Sequence, residues 1–83
     1  MAPYNPPKIY RGYAEINLID VDSDFMFNMI GKNGKNFYDI TEYLEIQYLW
    51  YNKDRHVIEL WGNVQLDTCQ KMLKLIECYK EIY

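Results

Sequence analysis

Met29-Ile30-Gly31-Lys32-Asn33-Gly34-Lys35-Asn36-Phe37 is the stretch on which the reading of this chain turns. Two glycines stand three apart, with an amphipathic segment on either side. Upstream, Asp22-Ser23-Asp24 forms an N-cap cluster. Phe25, Met26, Met29 and Ile30 then recur at three- and four-residue spacing, which predicts a short helix stopped by Gly31. Downstream, Phe37, Ile40, Tyr43 and Leu44 fall on one face of a second helix that runs to about Leu44 or Glu45. Glycine accepts backbone angles other residues resist and lets a second backbone come close. The first amides of the second helix have no partner inside the helix, and its dipole favours an anion there. Lys32 and Lys35 add full positive charges, with no acidic residue between Asp24 and Asp39. A sugar–phosphate backbone is a natural guest for such a turn.

Working outward, Tyr13 to Val21 reads as a first strand, with alternation clearest at Ile19-Asp20-Val21. Ile46 to Tyr51 is β-branched and aromatic and predicts a second strand. Asn52-Lys53-Asp54-Arg55 is a turn, and His56 to Trp61 returns as the third strand of a hairpin. If Tyr48, Trp50, Ile58 and Leu60 face the helices, then Leu49, Tyr51 and Trp61 point the other way. They would form an exposed aromatic patch suited to a homodimer or a protein partner, although a one-residue slip would exchange the two faces. Gly62 ends the hairpin, and Asn63 is placed to cap a last helix with the stripe Leu66, Cys69, Met72, Leu73, Ile76 and Tyr79. Residues 1–12 contain all three prolines and read as a Pro-rich flexible arm, leaving residues 13–83 as the domain. The expected fold is α+β, a two-layer sandwich in the order β-α-α-β-β-α, with a three-stranded sheet and three helices on one of its faces.

The formal net charge of −3 and pI of about 5.0 exclude a protein that holds nucleic acid by a broad basic surface, so any such charge must be local. Cys69 and Cys78 lie nine residues apart in the predicted last helix, roughly 13 Å along its axis, too far to pair. They read as free thiols of a reducing compartment. No apolar run suits a membrane span and no leader is recognisable, so an intracellular protein, cytoplasmic or nuclear, is expected. Asp20, Asp22 and Asp24 lack the pattern of a calcium loop. His56, the single histidine, has no nucleophile or carboxylate motif beside it. The expectation is therefore a non-enzymatic protein without metal or cofactor.

The run from Ile30 to Phe37 resembles the signature of the KH domain: an aliphatic residue, Gly-x-x-Gly, and a large apolar residue three positions later. The order of elements from Tyr13 to Tyr83 is similar to the eukaryotic-type (type I) arrangement. The resemblance implies that Gly31, Lys32, Asn33 and Gly34 clamp the backbone of about four single-stranded nucleotides. It implies a groove floored and walled by Ile30, Phe37, Tyr48 and Trp50, with Lys35, Arg55 and His56 at its rim. The implied function is non-enzymatic binding of single-stranded RNA or DNA. The alternative is a KH-like domain for protein–protein contact or dimerisation with little nucleic-acid affinity. The chain departs from the family at three places. Phe37, Tyr48 and Trp50 are aromatic where aliphatic residues are usual, so they stack on bases or fill the groove. Phe27 stands where many relatives carry a small residue. Leu44-Glu45-Ile46 replaces a Thr-Gly-Ala-like turn, which lengthens the helix or shifts the register of the following strand.

Overall fold

A computed structural model describes residues 4–82 of the 83; Met1, Ala2 and Pro3, at the head of the predicted arm, and Tyr83, within the predicted domain, lie outside the described residues. The elements are β1 (Tyr13–Asn17), α1 (Ser23–Ile30), a 3-10 turn (Lys32–Gly34), α2 (Lys35–Leu44), β2 (Tyr48–Asn52), β3 (Val57–Trp61) and α3 (Leu66–Ile82). The fold is α+β, with the predicted order β-α-α-β-β-α. The sheet is antiparallel in the order β1-β3-β2, so β2 is an edge strand.

Period-two alternation assigns each sheet row to one face. Ala14, Leu60 and Leu49 form one inner row, and Ile16, Ile58 and Tyr51 the next. Ile58 and Leu60 are fully buried, and Leu49 and Tyr51 nearly so. They pack with Met26, Met29 and Ile30 of α1, Phe37, Ile40 and Leu44 of α2, and Met72 and Ile76 of α3 in one core. The outer face carries the rows Tyr13, Trp61, Tyr48 and Glu15, Glu59, Trp50.

This register corrects one expectation. Ile58 and Leu60 face the helices and Trp61 faces away, as predicted, but β2 is slipped by one residue. Leu49 and Tyr51 belong to the core, while Tyr48 and Trp50 lie on the outer side. The predicted partner surface of Leu49, Tyr51 and Trp61 therefore does not exist as a patch. The cause lies at the end of α2. Glu45 adopts a left-handed conformation at φ 58°, and the Ile46 N–H reaches back to the Thr41 carbonyl while the Glu45 N–H bonds Glu42. That is a Schellman ending with Glu45 at the position glycine usually takes. Ile46 is buried as part of the helix stop, not as the first residue of a strand. Ladder pairing resumes where the Gln47 N–H donates to the Trp61 carbonyl, and the parity counted from Ile46 is lost.

Smaller adjustments follow the same logic. Asp22 caps α1, its carboxylate accepting from the Phe25 N–H at 2.8 Å, and Asp20 pairs with Lys80 of α3. β1 stops at Asn17, four residues earlier than expected. Asn63 does not cap α3; its side-chain amide donates to the Glu45 carbonyl and ties the hairpin exit to the end of α2. The α3 start is closed instead by the Thr68 hydroxyl, which accepts from the Gln65 N–H. The buried stripe of α3 is Thr68, Met72 and Ile76, with Cys69, Leu75 and Tyr79 partly covered, whereas Leu66 and Leu73 are exposed. Both cysteines are free thiols.

Candidate nucleic-acid interface

The glycine pair is used for two different purposes. Gly31 ends α1 at φ 81°, ψ 171°, and its N–H closes the helix on the Phe27 carbonyl. Gly34 is buried at φ 76°, ψ 14°, and its N–H returns to the Gly31 carbonyl at 3.1 Å. Between them Asn33 is left-handed at φ 58°, a conformation asparagine tolerates better than most residues. The glycines thus turn inward, while Lys32, Asn33 and Lys35 are exposed. No side chain caps the N-terminus of α2. Among the described residues, no acidic group pairs with Lys32 or Lys35. The turn therefore presents two free ammonium groups at a helix N-terminus.

Beside the turn lies an apolar cleft. It is lined by Gly34, Phe37, Tyr38 and Thr41 on the turn and α2, and by Gln47, Tyr48, Leu49 and Trp50 on the β2 edge. Phe37 is almost fully buried and supplies the floor. Tyr38 stands half exposed on the outer wall, and the Thr41 hydroxyl donates back to the Phe37 carbonyl. Tyr48 and Trp50 are stacked, with ring planes 8° apart and centroids 6.2 Å apart. Although they point to the outer side of the sheet, β2 is its last strand, so their rings wrap the edge and still bound the cleft. Desolvation raises the Tyr48 hydroxyl above its ordinary pKa, so it stays protonated at neutral pH.

The remaining predicted residues divide. Ile30 is a core residue and does not line the cleft. Arg55 is drawn to the outer sheet face, where its guanidinium makes a two-pronged bond to the Glu15 carboxylate at 2.6 and 2.7 Å. That contact holds the Glu15 carboxyl below its usual range. His56 is partly buried as a brace. Its Nε2 lies 2.7 Å from the Val21 carbonyl and its Nδ1 2.8 Å from the Tyr51 hydroxyl. A carbonyl only accepts, so Nε2 carries a proton and donates it to the Val21 carbonyl, and in that tautomer Nδ1 accepts a hydrogen bond from the Tyr51 hydroxyl. Neither side chain lines the cleft. Phe27 projects from α1 toward the hairpin turn, with Lys53 Nζ 5.8 Å from its ring centre.

Tyr38, Thr41 and Gln47 line the cleft without having been singled out in the sequence. Tyr38 and Thr41 were legible in principle, since they lie four residues beyond Gly34 and Phe37 on the same side of α2. Gln47 was hidden inside the misread start of β2. No family model, curated protein or solved structure matches the chain.

Proposed function

We propose that this protein is a KH-like, non-enzymatic binder of single-stranded nucleic acid, RNA in the first place. The observation that carries the reading is the continuity of the Gly31–Gly34 turn, with its two unpaired lysines, and the aromatic cleft that starts at Gly34. A phosphate needs donors and positive charge, and the turn supplies both. An unstacked base needs an apolar wall with π faces, and Phe37, Tyr38, Tyr48 and Trp50 supply it. The residues proposed to hold the strand are Gly31, Lys32, Asn33, Gly34 and Lys35 for the backbone, and Phe37, Tyr48 and Trp50 for bases. Ile30 belongs to the same core cluster as Phe37. Arg55 and His56 act in keeping the hairpin in place. The protein-contact alternative retains only Trp61 of its three residues on the surface and is the weaker reading.

A titration of labelled protein with a mixed-sequence single-stranded RNA decamer tests the proposal. A Kd in the micromolar range is expected. Two lysines neutralising two phosphates give a slope of about −1.4 in log K against log salt. Equal affinity for a duplex of the same sequence would contradict the reading, because stacked and paired bases cannot enter the cleft.

A further inference from the structure

The arm before β1 has no helix or strand between residues 4 and 12, yet Tyr4 and Asn5 are tied to the sheet. The Tyr4 ring packs against Trp50 at a tilt of 57° with centroids 4.9 Å apart, and its centroid lies 6.2 Å from that of Tyr48. Its hydroxyl donates to Glu59 Oε1 at 2.8 Å, and the Asn5 N–H donates to the Tyr48 hydroxyl at 2.9 Å. Glu59 explains the choice of partner. Its residue is only 4% exposed, although it sits on the outer face of the sheet. Its other donors are Trp61 Nε1 and the Asn52 side-chain amide, both at 3.1 Å, and no cation among the described residues reaches it. A buried carboxylate has to be met by hydrogen-bond donors, and Tyr4 provides one from outside the sheet. Desolvation, and then the carboxylate itself, push the Tyr4 hydroxyl up to about 12, so it remains a donor across the neutral range.

The seat that Tyr4 fills thus has two requirements: an aromatic ring in contact with Trp50, and a proton donor on the edge of that ring facing Glu59. A nucleobase meets both, since each has a π face and each carries edge N–H groups. The seat also adjoins the cleft, because Trp50 and Tyr48 bound the cleft on one side and touch the arm on the other. Tyr4 is 47% exposed, so it can leave without opening the core.

We propose that the outer face of Trp50 is a second stacking seat for a base of the bound single strand, which Tyr4 occupies in the free protein and yields on binding. The inference rests on the function proposed above and adds to it a place for a base outside the cleft. Binding then includes a competition between the arm and the ligand.

The test compares the full chain with its Tyr4→Ala variant, both titrated with the same labelled single-stranded RNA decamer. Removing the competitor is expected to tighten binding by about three- to tenfold. In the unsubstituted protein, the Asn5 amide resonance is expected to move to its unstructured position as RNA saturates. Binding by the unsubstituted chain with no gain in Tyr4→Ala, or an Asn5 amide unmoved at saturation, overturns the inference and leaves the proposed clamp standing. Absence of binding in both proteins overturns the clamp and the second seat together.

Discussion

Replacing Lys32 and Asn33 together by Asp is expected to abolish binding of single-stranded RNA and leave the fold intact. Both side chains are exposed on the turn between α1 and α2, and neither contributes to the core. Lys32→Asp changes the charge by two and Asn33→Asp by one, so the formal charge moves from −3 to −6, all of it at the proposed phosphate seat. A phosphate seated there would meet two carboxylates in place of an ammonium and an amide. The fold is insulated for stated reasons. Asn33 is left-handed, and aspartate is among the few residues that enter that region readily. A carboxylate near the uncapped start of α2 also interacts favourably with the helix dipole. Thermal midpoints should therefore stay close, corresponding to a stability change within about 0.5 kcal/mol. The decamer titration reads the first effect and circular dichroism the second. Retained affinity with an intact fold would mean that phosphates are not held at this turn.

Gly31→Ala is expected to lower stability by about 2–3 kcal/mol in urea unfolding. At φ 81° and ψ 171°, Gly31 occupies a region that is essentially closed to residues with a side chain. Space adds to backbone strain: a Cβ there would lie 2.7 Å from Asn36 Nδ2 and 2.8 Å from its Cγ. Asn36→Ala in the same chain removes those two contacts and should recover part of the loss, while the backbone part remains. Gly34→Ala is the milder change, since φ 76° and ψ 14° is the ordinary left-handed region, worth about 1–2 kcal/mol against a side chain. Equal losses at the two glycines would show that the conformation assigned to Gly31 is wrong.

Much of this was written in local sequence. The glycine spacing, the Asp22 cap and the apolar periods on either side fixed α1, the turn and α2, because each is governed by residues within about four positions. The alternation of Ile58 and Leu60 likewise placed the faces of β3. The failures share a different character. Glu45 takes a left-handed helix ending without glycine, so nothing marked Ile46 as a helix stop, and the parity of β2 went with it. Arg55 looked like a rim residue until its guanidinium met Glu15, 40 positions away. His56 looked like another rim residue until the Val21 carbonyl and the Tyr51 hydroxyl held its ring. Nothing local announced that Tyr4 of the arm meets Glu59 across 55 positions. Pairings at such distances depend on the sheet register and leave no periodic trace.

In the proposed complex one strand of nucleic acid runs from the Gly31–Gly34 turn into the cleft against β2. Backbone amide NMR during titration with the single-stranded decamer tests it most directly. Saturable shifts are expected to concentrate at residues 31–38 and 47–50, accompanied by Asn5 where Tyr4 gives up its seat, with α3 from Thr68 onward unmoved. Shifts confined to α3 or to the hairpin turn, or none at RNA concentrations well above micromolar, would contradict it.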